Sequence, residues 1–373
     1  MAVSSVNEVN TSKTPVTESS WFPQAQSSQW NTVGWLVFVF LMCLHFTFSY
    51  NAIPDYLDLN SYTRGLSPLP YQYRMLPVFV FRLLVDRPFI LRLAHHAPRH
   101  FDSPHQIVQL GLALVSMVGT VLATCGTLRR LTGDWVFARW FSLLTVYMAY
   151  FNLAPIWGLS YSYPYDTPSL FFFSLGMYLI VSERLVLYYV MLPFAIVNRE
   201  TACFLILFFL IWRGRALRER LGPLSARAAG ALAAHGLVQT TIWLGLRRYQ
   251  FYLFAKNPVD SRVGGALIRQ KLQFNLHELV KPQQWPVLLS CCGFLLPALW
   301  LQRRWIKNSG VAWSCAVILP LWFVGMMLVG VVTEIRVFSE CTTFVVPALA
   351  LIVHNRFRPI PEYPLETEDR DYS

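Results

Sequence analysis

From residue 33 onward the chain alternates long apolar runs with short polar breaks. The opening run, residues 33 to 50 (VGWLVFVFLMCLHFTFSY), is long enough at 1.5 Å per residue to cross most of a ~30 Å hydrocarbon core. Further runs near residues 105 to 128, 136 to 153, 167 to 181, 185 to 197, 202 to 212, 226 to 246, 285 to 302, 310 to 332 and 341 to 354 bring the expected number of crossings to about ten. Between the first two runs, Arg82, Arg87, Arg92 and Arg99 break VFVFRLLVDRPFILRLAHHAPRHF too often for a span, so this piece reads as an amphipathic helix lying in the interface. The pattern predicts an all-α fold: a polytopic transmembrane helix bundle of about ten spans, with short or re-entrant helices and an interfacial amphipathic helix. Residues 1–31 read as a disordered polar tail, 32–355 as a single polytopic membrane domain, and 356–373 as a Pro-rich and then acidic C-terminal tail. No internal repeat is visible.

Composition agrees with that pattern. The chain is 55% hydrophobic and only 14% charged, which places it in the multi-span membrane class. Its net charge of +11 suggests nucleic acid until the basic residues are mapped, because most lie in clusters just beyond apolar runs. Placing LRRLTGDWVFAR, RGRALRER, QRRWIKN and HNRFRP on the cytoplasmic side gives an integral, multi-pass protein of the plasma (inner) membrane with both termini cytoplasmic. The lipid bilayer is then the main partner, and nucleic acid is excluded. The seven cysteines form no C-x-x-C pair and read as small buried hydrophobes. The outer loop 247 to 284, with Lys271 among its basic residues, is a lid candidate.

Charge changes the picture most at residues 198 to 201, Asn-Arg-Glu-Thr, set between two short apolar runs. Neither run spans a bilayer core alone, which predicts a hairpin with the polar tip at depth rather than one long helix. A central charge costs about 2.5 to 3.5 kcal/mol on insertion scales, so Arg199 and Glu200 must pair or face water. They either bridge neighbouring helices or serve a solvated cavity. With ten crossings, Asp55, Asp58, Asp166, Glu334, Arg336 and Glu340 land on the same side as Arg199 and Glu200, whichever way the protein is inserted. One shared cavity follows, holding these carboxylates, the guanidinium groups of Arg64, Arg74, Arg199 and Arg336, and aromatics that include Trp157, Tyr161, Tyr163 and Tyr165. Carboxylates accept protons or hold a divalent cation, and Arg grips phosphate oxygens in bidentate fashion. The aromatics equally suit an interfacial belt. The run AHHAPRHFDSPH, with His95, His96, His100, Asp102 and His105, matches no familiar zinc spacing. His45 is expected to bond a neighbouring helix.

The segment IPDYLDLNSY, with Asp55 and Asp58 just past the first span, followed by SPLPYQYRMLP and the interfacial piece, resembles the GT-C superfamily of integral-membrane glycosyltransferases. The resemblance covers the first hundred residues and the span layout, although in this chain two residues separate the aspartates. It implies a polyprenyl-phosphate-type sugar donor, transfer at the non-cytoplasmic face, and Asp55 or Asp58 as catalytic base or metal ligand. Asp166 and Glu200 join them as catalytic candidates. Arg64, Arg74, Tyr165, Asn198, Arg199, Glu334 and Arg336 are the substrate-binding candidates, with Arg199 and Arg336 as phosphate grips. A divalent cation is left open as cofactor. The competing classes are a transporter or channel with a one-sided polar cavity and a non-catalytic membrane protein.

Overall fold

The computed structural model describes residues 29–98, 101, 103–154, 161–223, 225–259 and 268–357. Among these every regular element is a helix; the only extended pairings are two isolated bridges, Asp55 with Ser162 and Leu69 with Val259.

Helix α1 (Gln29–Asn51) shows how the sequence divides its faces. Val39, Cys43, Phe46 and Tyr50 follow helical spacing and are buried, while Val37, Phe40 and Leu41 on the other side are about half exposed. An apolar outer face of this kind suits lipid, not water. After the short α2 (Leu59–Arg64), the expected interfacial helix is present as two, α3 (Met75–Leu84) and α4 (Pro88–His96). Pro88 opens the second, since its ring cannot continue the first. Arg82 is exposed and donates from Nε to the Thr63 carbonyl at 2.7 Å, as Arg87 does to the Leu83 carbonyl at 2.9 Å. Arg99 lies outside the described residues.

α5 (Pro104–Thr132) is the central post. α6 (Trp135–Ser142) and α7 (Leu144–Leu153) follow, then α8 (Asp166–Val181), which lies parallel to α5. Gly119 and Gly126 set that register: a Cβ at these positions would come within 2.6 Å of the Phe171 ring and 2.7 Å of the Tyr178 ring. The glycines therefore let α8 lay its aromatics flat on α5.

α9 (Leu185–Asn198) and α10 (Cys203–Leu221) form the hairpin expected around residues 198 to 201. The Tyr188 ring stacks on Phe209 at 5.6 Å, and Glu183 at the foot of α9 meets Arg213 at 3.0 Å and Arg220 at 3.4 Å near the end of α10. In a single continuous helix these residues would lie tens of ångströms apart. α11 (Ala226–Leu253) climbs beside the hairpin, and α12 (Ile268–Val280) covers part of the lid segment. The apolar stretch 285 to 302 is broken into α13 (Trp285–Leu289) and α14 (Leu296–Gln302) by left-handed backbone at Cys292 (φ 52°) and Gly293 (φ 66°). α15 (Ser309–Val329) and α16 (Thr342–Phe357), joined through a 3₁₀ turn at Ile335–Cys341, complete the bundle.

Successive stretches run alternately between two ends. At one end Arg139 reaches Thr32, Arg215 reaches Ser309, and Asn355 reaches the Trp305 carbonyl, so the four basic clusters gather there. At the other end lie Tyr50, Asp166, residues 198 to 202 and the 3₁₀ turn. The expected runs are mainly helical, although 136 to 153 and 285 to 302 are each divided between two helices, and among the described residues four helical segments are long and apolar enough to cross a membrane by length and composition: Asn31–Asn51, Pro104–Thr132, Ser309–Val329 and Ile335–Phe357. Met75–Leu84, Asp166–Val181 and Leu185–Asn198 are shorter apolar helices.

Candidate functional site

The site grows from the hairpin tip. α9 stops at Asn198, Arg199 is extended (φ −157°), and a 3₁₀ turn at Glu200–Ala202 starts α10. Backbone groups freed by such a break need partners. Trp243 of α11 donates to the Glu200 carbonyl at 3.1 Å, while the buried Asn198 amide donates to the Tyr165 carbonyl at 3.1 Å. The tip is thus tied to α11 and to the entry of α8.

Arg199 is buried between two carboxylates that are themselves fully buried. Its Nη1 lies 2.8 Å from Glu340 Oε1 and 3.3 Å from Asp166 Oδ1. Glu340, in the 3₁₀ turn, also accepts from Ser169 at 2.7 Å, Thr201 at 3.2 Å and Ser339 at 3.1 Å. Asp166 is shared: Arg336 Nη1 stands 3.6 Å from its second oxygen, and the Tyr50 hydroxyl lies 3.2 Å from the same oxygen. Arg336 also grips Glu334 through Nη2 at 2.9 Å and lies 3.8 Å over the Tyr163 ring. Arg74, arriving just before α3, forks onto Glu200 with contacts of 2.8 and 3.3 Å and sits 4.1 Å over the Tyr165 ring. The three guanidinium groups and four carboxylates form one network with tyrosine faces between them. Charges so removed from water stay favourable only when each is paired and hydrogen-bonded.

This network forms one wall of a cavity of about 570 Å³. Arg74, Arg199, Glu200, Glu334 and Arg336 line its polar side, joined by Lys271 from α12. Leu69, Phe204, Val259, Met326 and Val329 make the apolar side. Lys271 is buried, and no ion-pair partner for it lies among the described residues. Arg199 Nε, Asn198 Oδ1 and the Tyr165 hydroxyl are likewise buried without a hydrogen-bond partner there.

Eight of the eleven catalytic and binding candidates meet here, Arg74, Tyr165, Asp166, Asn198, Arg199, Glu200, Glu334 and Arg336, and Glu340 of the expected shared cavity joins them. Asp55, Asp58 and Arg64 do not line the cavity. Asp58 caps α2, accepting from the backbone of Asn60 at 3.2 Å and Ser61 at 3.1 Å and from the Ser61 hydroxyl. The Ser61 hydroxyl, with these amides, holds its carboxyl below the ordinary value. Asp55 stands at one remove, accepting from Gln109 at 3.1 Å and from the Ser162 hydroxyl next to Tyr163. Arg64 is exposed in the last turn of α2.

Sequence reasoning overlooked Tyr50, Ser169, Ser339 and Trp243. Ser169 carries a signal, lying one helical turn past Asp166; the other three are ordinary residues of apolar segments. Trp157 lies outside the described residues, as do His100 and Asp102. His96 bonds its own helix at the Arg92 carbonyl, 2.8 Å away, and His45 pairs with Tyr150 of α7. No group of three His, Cys, Asp or Glu side chains suited to a metal ion occurs among the described residues. The network carboxylates instead face guanidinium groups, so their donor set offers a cation little charge.

No family model, no curated protein and no solved structure matches the chain.

Proposed function

We propose that the protein is a membrane glycosyltransferase that moves a sugar from a polyprenyl-phosphate-type donor to an acceptor hydroxyl at the non-cytoplasmic face. The observation that carries this reading is the two-sided cavity: Arg74, Arg199, Arg336 and Lys271 on one wall and aliphatic side chains of α15 on the other. An anionic amphiphile suits such a site, with phosphate oxygens on the Lys271 ammonium beside the guanidinium groups and the first isoprene units against Met326 and Val329. The alternating helical stretches support about ten crossings, short ones included. The gathered basic clusters support cytoplasmic termini in a plasma (inner) membrane.

In the proposed step the acceptor oxygen bonds to the anomeric carbon while the bond from that carbon to the phosphate oxygen breaks. The leaving polyprenyl phosphate takes the electron pair, and the guanidinium groups stabilise the charge that develops on it. The acceptor's proton passes to a carboxylate. Glu334 suits that role, since it lines the cavity, is only partly buried, and has one oxygen on Arg336. Glu200 has both oxygens on Arg74, and Asp166 and Glu340 are enclosed by the network. Asp58 is committed to its cap. Asp55, to which the GT-C resemblance gives the base role, is the one rival.

The test is sugar transfer from a polyprenyl-phosphate sugar by purified protein in nanodiscs. A base of this kind contributes roughly 10²- to 10⁴-fold, so Glu334→Gln should lower turnover by that order while Asp58→Ala transfers normally. Full turnover in Glu334→Gln together with loss in Asp55→Asn would move the base to Asp55. Absence of transfer by the wild-type protein from any lipid-linked sugar would end the reading.

A further inference from the structure

A second cavity, of about 770 Å³, lies near the opposite end of the bundle, between the start of α1, the last turns of α5 and the end of α8. α8 has 16 residues, so the rim of this groove lies about 24 Å from Asp166 along the helix axis, while its wall reaches back to Phe171. Its rim carries Arg129, Arg130 and Arg184, all exposed. Among the described residues none of the three makes an ion pair. Glu183, beside Arg184, is held by Arg213 and Arg220. Asp134, just past α5, caps α6 by accepting from the Phe137 amide at 2.9 Å. Two of the arginines are steadied by aromatic faces: Arg129 lies 4.8 Å over the Trp135 ring and Arg184 5.7 Å over Tyr178. Below the rim the groove is apolar, with Leu122, Phe171 and Leu175 around the glycine steps of α5.

We infer that this groove is a binding site for one anionic phospholipid of the leaflet at the basic end, independent of the reaction proposed above. Three guanidinium groups that make no ion pair among the described residues complement a phosphodiester headgroup, and they sit where α5, long and apolar enough to cross a membrane, reaches its end. The half-buried Trp135 lines the groove beside the rim, as amphipathic rings do at the headgroup boundary. The wall formed by Leu122 and Phe171 accepts an acyl chain running along α5. A free anion would use the rim and leave that wall unused, which is why a lipid is the better occupant.

The experiment is native mass spectrometry of the full-length protein in detergent, titrated with phosphatidylglycerol or phosphatidylcholine. Wild-type protein should retain one phosphatidylglycerol with at least about tenfold preference over phosphatidylcholine. Arg129→Gln/Arg130→Gln/Arg184→Gln should abolish the preference. Leu122→Trp, which fills the apolar wall and leaves the rim intact, should weaken retention of the bound lipid. Arg303→Gln/Arg304→Gln, at exposed positions of the same end outside the groove, should change nothing. Should the triple variant fail to fold, Arg184→Gln alone should reduce the preference severalfold. Equal binding of both lipids by wild-type protein, or an unchanged preference in the rim variants that fold, would overturn the inference. So would loss of preference in the Arg303 and Arg304 control. Displacement of phosphatidylglycerol by millimolar inorganic phosphate would replace the lipid site with a free-anion site.

Discussion

Arg199 is the residue on which the network turns, because it pairs at once with Asp166 of α8 and Glu340 of the 3₁₀ turn. Its partner Glu340 is the best-connected carboxylate, taking Arg199, Ser169, Thr201 and Ser339. Removing one member of a buried pair leaves the other charge uncompensated, which costs about 3 to 5 kcal/mol. Glu340→Ala should therefore lower the thermal midpoint in detergent sharply, and Glu340→Gln less, because the amide still accepts from the hydroxyls. A midpoint unchanged in Glu340→Ala would mean that Asp166 alone carries Arg199. At this scale the sequence was most legible where it broke its own rule: a charge inside an apolar run stands out, so Arg199, Glu200, Asp166 and Arg336 were visible. Tyr50 was not, since a tyrosine is ordinary at the end of a span, and Ser169 was marked only by its spacing from Asp166. Asp58 drew attention as an acid after a span, yet Asn60 and Ser61 make it an ordinary cap, a choice that depends on local dihedrals.

Among elements, the α9–α10 hairpin was legible from length alone, and the break between α13 and α14 was not. The stretch 285 to 302 is apolar enough to read as one run, although Gly293 and Pro297 interrupt it, and tertiary contacts decide its shape. Asn152 of α7 accepts from the Cys292 amide at 2.9 Å and donates to Thr342 at 3.0 Å, fixing the turn from a neighbouring helix. Gly293 makes that turn tolerable: its φ is 66°, and a Cβ there would lie 2.4 Å from the Tyr147 ring. Left-handed backbone costs a residue with a Cβ about 1 to 2 kcal/mol before any clash is counted. Gly293→Ala should thus destabilise by about 2 kcal/mol or more, read as a fall in thermal midpoint. Gly245→Ala, in α11 and in open space, should be neutral or stabilising. The expected single interfacial helix failed for a simpler reason, the start of a new helix at Pro88.

Across the whole molecule, the alternation of helical direction separates a basic end from the end bearing the network. Lys256 is exposed near the network end, where the adjacent Asn257 donates to the Gly65 and Ser67 carbonyls at 2.9 Å each. Lys307, exposed just before α15, belongs to the basic end. A cysteine replacing Lys256 should react with a membrane-impermeant maleimide added to intact cells, and one replacing Lys307 should react only after permeabilisation. Labelling of both from the same side would contradict the arrangement. Parity of crossings made this separation readable in advance, because it depends on how many runs there are and not on where each helix ends. Crossing number is harder to read: α10 carries five charged residues in its last turns, and α11 is long without being strongly apolar, so neither qualifies by composition alone.

The network draws on points spread from Arg74 to Glu340, which has a consequence during synthesis. Arg199 leaves the ribosome 141 residues before Glu340, an interval of roughly 7 to 28 s at ordinary elongation rates. Throughout it, a nascent chain holds Arg199 with Asp166 alone, and Asp166 must later serve Arg336 as well. A chain that stalls before the 3₁₀ turn at Ile335–Cys341 therefore leaves Arg199 with one carboxylate where the finished molecule gives it two.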